Sequence, residues 1–175
     1  GILHGTLHGV GVGPGDPDLI TLKALRILQR APVIAWPAPL QGDSMARAIA
    51  APHIDARGLG NAPKEIAIRM PMVAERFPAQ NVYDAAALDI AAHLDAGQDV
   101  AVLCEGDPFF YGSFMYLFGR LAEQYPVEVT PGISYLTASA AALAAPLAAR
   151  NDVLTVLPAP LPEAELKRRL QDSDA

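Results

Sequence analysis

The chain has 175 residues, of which 13 are Lys or Arg and 19 are Asp or Glu, so its formal net charge is −6. Hydrophobic residues make up 51% of the sequence and charged residues 18%, a composition that can bury a core and excludes an intrinsically disordered chain. The basic residues are scattered along the chain and are fewer than the acidic residues. This argues against a nucleic-acid partner, since binding to phosphates depends on clustered Lys and Arg.

The single cysteine, Cys104, excludes an internal disulfide and a cysteine-rich zinc site. It fits a reducing compartment, so we expect a cytoplasmic protein. The four histidines are too dispersed along the chain to predict a metal site. Because the apolar runs are shorter than the roughly 20 residues that cross a bilayer, and no signal peptide opens the chain, we expect no membrane association.

Strand-like and helix-like segments alternate along the chain, which predicts an α/β fold with a mostly parallel sheet. The first half contains, in order, a strand at Leu7–Val12, a helix from a Thr21 cap to about Gln29, a strand at Val33–Trp36, a helix at Ser44–Ala51, a strand at Glu65–Met70 and a turn at 70–78. Pro37 and Pro39 should end the second strand, because proline lacks the N–H of a strand ladder.

The second half continues this alternation. It contains a helix at Asn81–Ala96 that ends at Gly97, a strand at Asp99–Cys104, an aromatic helix to about Gln124, a strand at Val127–Thr130, a helix capped by Ser134, a strand at Val153–Leu157 and a helix at Pro162–Leu170. The expected domains are an N-terminal α/β domain at 6–126 and the start of a second, incomplete α/β domain at 127–175.

Four glycines alternate where the first strand ends, at positions 9, 11, 13 and 15. The dinucleotide fingerprint does not fit this loop, because its last glycine would fall on Pro14 or Asp16. A P-loop is also excluded, since the loop has no Lys followed by Ser or Thr. The carboxyl ends of parallel strands meet at one edge. We therefore expect the turns at Gly13, Gly106 and Gly132 to lie together and to hold a ligand through backbone atoms.

Three segments resemble a known family. The first, GVGVGPGDPDLITLKAL from Gly9, is similar to the opening signature of the tetrapyrrole methylases that use S-adenosylmethionine. The segments LCEGDPFFYGS from Leu103 and VTPGIS from Val129 are similar to the second and third cofactor-contacting segments of that family, in the expected order. Within the family, the chain is most similar to members that methylate precorrin-2 at C20 during cobalamin biosynthesis.

Other activities remain as alternatives. The chain resembles, less strongly, methylases that act on other precorrins, on cobalt-precorrins or on uroporphyrinogen. The uroporphyrinogen methylases carry an aspartate after the second strand that has no counterpart at 36–39. A fragment that binds the cofactor or the macrocycle without turnover is the alternative from a different functional class.

The resemblance implies two α/β domains with S-adenosylmethionine between them, a tetrapyrrole substrate beside it, and a homodimer. It also implies cofactor contacts from Pro14, Glu105, Gly106, Asp107, Phe110, Ser134 and Tyr135. Asp107 has a second interpretation, as a turn residue whose side chain bonds nearby amides.

Methyl transfer from a sulfonium to carbon depends mainly on in-line placement, together with a base that removes a proton from the methylated carbon. Glu105, Asp107 and Tyr111 are the candidate bases, of which Glu105 is preferred. A tetrapyrrole carries several carboxylates that arginine binds bidentately, so Arg47 and Arg150 are candidate substrate contacts, with Arg69 a further possibility. Tyr111 is a candidate contact for the macrocycle. For each arginine, a solvated surface charge is the alternative.

Overall fold

The computed structural model describes residues 3–71 and 80–172. The described strands are β1 (Leu7–Gly11), β2 (Val33–Pro39), β3 (Lys64–Met70), β4 (Val100–Cys104) and β5 (Val127–Thr130). The described helices are α1 (Leu22–Arg30), α2 (Met45–Asp55), α3 (Gln80–Asp95), α4 (Phe114–Leu121), α5 (Tyr135–Leu143) and α6 (Glu163–Leu170). The strands form one sheet in the order β3-β2-β4-β1-β5, and each described pairing between them is parallel. The predicted α/β fold with a parallel first sheet is confirmed.

Helices cover both faces of the sheet, because successive strand residues point to opposite faces. One core joins strand residues to α3 and α4, through Leu7, Val100, Val102, Ile90 and Phe114 among others. The opposite core joins strand residues to α1 and α2, through Val10, Ile34, Leu103, Leu28 and Ile49 among others. The helices that follow β1 and β2 therefore lie on one face, and those that follow β3 and β4 lie on the other.

Local capping signals predict the starts of the first two helices correctly. The Thr21 hydroxyl accepts a hydrogen bond from the Ala24 amide at 3.1 Å, and the Ser44 hydroxyl accepts one from the Arg47 amide at 3.2 Å. Ser44 also donates to the Pro37 carbonyl at 2.6 Å, which ties the start of α2 to β2. The helix before Gly97 is confirmed within one residue at each end, whereas α4 ends before the predicted Gln124.

The prediction that Pro37 and Pro39 end the second strand is wrong. β2 continues through Pro39 and pairs with β3 along its whole length, as far as the Pro39–Met70 pair. Its pairing with β4 stops at Ala35. From Trp36 onward β2 thus has a paired neighbour on one side only, and a strand edge is where proline is tolerated.

The prediction that the second helix stops near Ala51 is also wrong. α2 continues to Asp55 and contains Pro52. The turn beyond the proline is held by burial of Ile54, which is 4% exposed, and by an ion pair between Arg47 Nη2 and Asp55 Oδ1 at 3.0 Å. These contacts offset the backbone hydrogen bond that the proline removes.

The expected strand at Val153–Leu157 is not formed. A strand needs a hydrogen-bonded neighbour, and none of the strands in the described part of the chain pairs with this segment. The helix predicted next is confirmed as α6, whose exposed side chains form ion pairs such as Lys167 with Glu163 at 2.7 Å. Most of the turn predicted at 70–78 lies outside the described residues.

The contacts divide the chain into two compact units, Gly1–Tyr135 and Leu136–Ala175. The predicted domain division before Val127 falls inside the first unit, because β5 pairs with β1 from Leu7–Val127 to Val10–Thr130. β5 thus completes the first sheet instead of opening a second domain. A second, incomplete α/β domain stays a prediction.

No helix in the described residues has the length and apolar character needed to span a membrane.

We predict that Gly9→Ala destabilises the protein by about 1–3 kcal/mol, the cost of overpacking a dense core. A Cβ atom on Gly9 would lie 2.5 Å from Cε1 of Phe114, a ring that is 1% exposed. Gly119→Ala in α4 is the control, because its Cβ would meet no atom within 4 Å and alanine favours the helix by about 1 kcal/mol. Urea unfolding measures both, and equal stability of the two variants would contradict the prediction.

Candidate active site

Three turns at the carboxyl ends of β1, β4 and β5 pack backbone against backbone. The Gly106 amide donates to the Gly13 carbonyl at 2.8 Å, and the Gly13 amide donates back to Gly106 at 3.3 Å. A Cβ atom on Gly132 would overlap the Gly106 carbonyl oxygen, and one on Gly11 would lie 2.6 Å from the Gly132 nitrogen. The turns therefore lie together at one edge, as the sequence predicts, and this close approach requires residues without a Cβ.

Asp107 joins two of these turns through its carboxylate. Its Oδ1 accepts a hydrogen bond from the Phe109 amide at 2.9 Å, and its Oδ2 accepts one from the Gly132 amide at 3.0 Å. Both oxygens are thus bonded to main-chain amides, one within the turn and one across to the end of β5. This geometry supports the alternative interpretation of the Asp107 side chain, as a residue that stabilises the turns.

An open cleft of about 490 Å³ lies beside these turns, between the carboxyl ends of β2 and β4. The connection from β2 to β3 passes through α2 on one face of the sheet, and the connection from β4 to β5 passes through α4 on the other face. Neighbouring strands whose connections diverge in this way form the switch point where α/β proteins bind ligands. The space for a ligand therefore lies next to the three turns and not between them.

The cleft is mainly apolar and carries acidic groups. Its walls are Pro37–Pro39 from β2, Met70 from β3, Cys104 from β4, and loop or helix-start residues Asp43, Met45, Glu105, Tyr111, Gly112 and Ser113. Two of these lining residues are carboxylates and none is Lys or Arg. A cleft with this lining favours an apolar or cationic ligand over a phosphate.

Glu105 lies where the turns and the cleft meet. It follows β4 directly, lines the cleft, and its Oε2 accepts a hydrogen bond from the Tyr135 hydroxyl at 3.1 Å. Burial, the nearby Glu105 charge and this hydrogen bond all raise the pKa of Tyr135 above its ordinary value. Tyr135 therefore remains a hydrogen-bond donor at neutral pH. The structure brings together two predicted site residues that are 30 positions apart.

Cys104 also lines the cleft, but its thiol is not a nucleophile. It is 4% exposed, and burial together with the charges of Asp107 and Glu105 raises its pKa to about 12. The thiolate is thus absent at neutral pH. This agrees with the sequence-based interpretation of Cys104 as a core residue.

Tyr111 has a strained backbone at the cleft. Its φ is 54°, a left-handed value that is rare for a bulky residue, and its side chain is 65% exposed. The ring contacts that of Phe110 at 5.0 Å in a T-shaped arrangement. Strain of this kind clusters at ligand sites, where the surrounding structure maintains it. In contrast, Phe114 from the same aromatic segment is core.

The guanidinium of Arg47 is already engaged. It bonds Glu65 at 2.8 Å and Asp55 at 3.0 Å, and lies 5.7 Å from the ring centroid of Trp36. These contacts give Arg47 a structural role and lend no support to the predicted substrate contact. Arg69 lies closer to the cleft wall, because its Nη1 donates to the carbonyls of Pro39 at 3.0 Å and Gly42 at 2.9 Å.

The remaining predicted site residues do not line this cleft. Pro14 and Ser134 are half-buried beside the three turns, and Phe110 is exposed next to Tyr111. Arg150 belongs to the unit that begins at Leu136, so its predicted substrate contact stays a prediction. Among the described residues, no group of three or more His, Cys, Asp or Glu is placed to hold a metal ion.

Sequence reasoning missed several residues of the cleft. Asp43, Met45 and Met70 come from loops and element ends that carry no motif, and β2 was expected to stop before Pro37. One signal was available: Ser44 caps α2, and parallel topology places the start of that helix at the same edge as the glycine turns.

The fold and site define a class of protein: a parallel α/β protein with a ligand site at the carboxyl edge of its sheet. The family model of the tetrapyrrole (corrin/porphyrin) methylases matches residues 6–175. The chain belongs to this family.

Two curated relatives illustrate the similarity. The chain is 42% identical to the precorrin-2 C(20)-methyltransferase of Sinorhizobium sp, covering 100% of this chain and 73% of the relative. It is 43% identical to the cobalamin biosynthesis protein CobIJ of Mycobacterium tuberculosis (strain ATCC 25618 / H37Rv), covering 98% of this chain and 34% of that protein. The chain thus spans about a third of the length of the first relatives it matches.

A solved structure shows the same fold. The uroporphyrin-III C-methyl transferase of Thermus thermophilus, complexed with S-adenyl homocysteine, superposes with a TM-score of 0.52 at 27% identity, covering 86% of this chain and 53% of that one.

We predict that Gly132→Ala separates the three turns, because its Cβ would overlap the Gly106 carbonyl. Stability should fall by about 1–3 kcal/mol, and hydrogen exchange at the Gly106 amide should accelerate. Gly60→Ala is the control, since its Cβ would meet no atom within 4 Å. Thermal unfolding and amide exchange measure these effects. Unchanged exchange at Gly106 would show that the turns do not depend on this contact.

We predict that Asp107→Asn costs about 1–3 kcal/mol of stability, because the new NH₂ group would face one of the two backbone amides that the carboxylate now binds. Asp89→Asn on the exposed face of α3 is the matched control and should stay within about 0.5 kcal/mol. Urea denaturation compares the two. Equal effects would contradict the assigned role of Asp107.

Proposed function

We propose that the chain carries the activity of an S-adenosylmethionine-dependent C-methyltransferase that methylates precorrin-2 at C20 to give precorrin-3A in cobalamin biosynthesis. Membership of the family and the similarity to a precorrin-2 C(20)-methyltransferase support this proposal. The single observation that carries it is the position of Glu105, a carboxylate that lies between the three backbone turns and the cleft.

The turns and the cleft fit a cationic methyl donor. The turns present main-chain groups to the ligand. The space beside Gly15 is open, since a Cβ atom on this residue would meet no atom within 4 Å. The adjacent cleft carries Asp43 and Glu105, and none of its lining residues is Lys or Arg. The proposed contacts are the main chain of Glu105, Gly106 and Asp107, together with Pro14, Phe110, Ser134 and Tyr135. S-adenosylmethionine, when bound, supplies an activated methyl group on a sulfonium.

The cleft also fits one edge of a flat macrocycle. Pro37, Pro39, Met70 and Tyr111 offer apolar surface for the ring. The acidic substituents of a tetrapyrrole require cations outside the cleft, and Arg69, beside its wall, is our first candidate. Arg47 and Arg150 remain predicted contacts, of which Arg47 has the weaker support because its guanidinium is already paired.

The residues of this chain would act mainly by placement. Holding the acceptor carbon in line at about 3 to 3.5 Å can lower a barrier by roughly 7 to 11 kcal/mol. Glu105 would then remove the proton from the methylated carbon, a general-base contribution of about 10²- to 10⁴-fold. Strong anionic binding of the sulfonium would slow transfer, because the positive charge disappears in the reaction. Backbone carbonyls avoid that penalty.

Two alternatives have weaker support. A uroporphyrinogen methylase is disfavoured by Trp36–Pro39, which lack the aspartate expected there. A cobalt-loaded precorrin-2 shares the same ring and the same acceptor carbon, so the experiment below tests both metal states. A homodimer in the cytoplasm is part of the proposal and rests on the resemblance to the family and on the single, buried Cys104.

We expect the chain to bind S-adenosylmethionine but not NADH in calorimetry, and to transfer a labelled methyl group to C20 of precorrin-2, located by NMR. Cobalt-precorrin-2 is assayed in parallel. Label on a different carbon would refute the C20 assignment. Binding without transfer to either substrate would favour the non-catalytic alternative.

We predict that Glu105→Gln lowers kcat by about 10²-fold or more, because the amide cannot accept the proton. The dissociation constant for S-adenosylmethionine should change little. Glu123→Gln, an exposed residue that follows α4, is the matched control. An unaltered kcat in Glu105→Gln would remove Glu105 from the mechanism.

A further inference from the structure

We infer that Tyr135 is a positioning residue for the Glu105 carboxylate, and that its hydroxyl holds this group at the cleft for proton removal. The inference rests on the proposed function, since Glu105 is the proposed base. It assigns to the Tyr135 side chain a role separate from the cofactor contact predicted for this position.

The geometry at the end of β4 makes such a restraint useful. Glu105 is exposed and has three rotatable side-chain bonds, whereas a tyrosine ring moves about two. The Tyr135 hydroxyl lies 3.1 Å from Glu105 Oε2 and 3.9 Å from the sulfur of Met45, the first residue of α2. Tyr135 itself is the first residue of α5. The hydroxyl thus contacts the start of α2 and the residue after β4, and its hydrogen bond restrains one oxygen of the carboxylate.

The second carboxylate oxygen of Glu105 is the one that acts in the proposed step. As the carbon–methyl bond forms, the bond from sulfur to that methyl breaks and its electron pair stays on sulfur. The acceptor carbon then loses its proton to Glu105 Oε1, and the C–H electron pair returns to the ring system. The carboxylate becomes a carboxylic acid, which solvent deprotonates before the next turnover.

The charges around Glu105 make the hydrogen bond from Tyr135 more important. Asp43 lines the same cleft and Asp107 lies in the adjacent turn, whereas none of the residues that line the cleft is Lys or Arg. Like charges repel the Glu105 carboxylate. The hydroxyl of Tyr135 holds one of its oxygens in place against this repulsion.

The first test needs no substrate. Ultraviolet titration follows tyrosine ionisation, and subtracting the Tyr135→Phe curve from that of the unmodified chain isolates Tyr135. In Glu105→Gln the pKa of Tyr135 should fall, because two of the three causes that raise it are the charge and the hydrogen bond of Glu105. An unchanged Tyr135 titration would show that the pair does not form in solution and would overturn the inference.

The second test measures turnover of the full chain. Tyr135→Phe keeps the ring and should lower kcat about tenfold, a part of the 10²- to 10⁴-fold expected for the base itself. Deuterium at the acceptor carbon should slow turnover more than in the unmodified chain. KM for both substrates should stay within about twofold. A purely structural role would not change the isotope effect.

Tyr125→Phe is the matched control. Its hydroxyl donates to Asp95 at 2.8 Å, a pair of the same chemistry near the opposite ends of the strands, so its removal should leave kcat and the isotope effect unchanged. An unchanged kcat and isotope effect in Tyr135→Phe would overturn the positioning role while the proposed function stands. No methyl transfer by the unmodified chain would instead overturn the proposed function, and with it the role of Glu105 as base, whatever the titration shows.

Discussion

The close approach of three main-chain turns, at Gly11–Gly13, Gly106 and Gly132, is the constraint on which the rest of the site depends. The contact leaves no room for a Cβ atom on Gly11 or Gly132, so the ends of β1, β4 and β5 are held together by hydrogen bonds and by direct backbone contact. Asp107 adds a charged acceptor that bonds the amides of two of the turns. Glu105 precedes this cluster by one residue and therefore starts from a well-defined backbone position.

The direction in which the chain leaves the sheet creates the space beside that cluster. β2 and β4 are neighbours, but their connections run to opposite faces, which leaves a gap above their carboxyl ends that none of the described residues fills. Pro37 and Pro39 at the end of β2 contribute no backbone donors to this edge. A rigid group of turns next to an apolar cleft is a suitable arrangement for a reaction that depends on placement more than on covalent assistance.

Features encoded by neighbouring residues were predictable from the sequence. The caps Thr21 and Ser44, the helix that ends before Gly97 and the strands of the first sheet all follow from local signals and alternation. The length of β2 was not predictable, because proline is tolerated there only where β4 stops pairing. The strand expected at Val153–Leu157 failed for the related reason that a strand requires a partner, which local sequence does not provide.

The site was predicted in part. The glycine turns and Glu105 were found because parallel topology gathers strand ends at one edge. The cleft wall from Asp43, Met45 and Met70 was not found, since it depends on where α2 and β3 come to lie. The pairing of Arg47 with Asp55 and Glu65 was equally hidden, because an arginine in a sequence does not reveal which carboxylates surround it.

The left-handed backbone of Tyr111 means that stability and the shape of the cleft make opposite demands at this position. Glycine or asparagine would occupy φ 54° at lower cost than tyrosine, so either replacement should increase the thermal tolerance of the fold. The same replacement would remove an exposed ring from the cleft. The most stable residue here is therefore not the one that gives the cleft its aromatic surface.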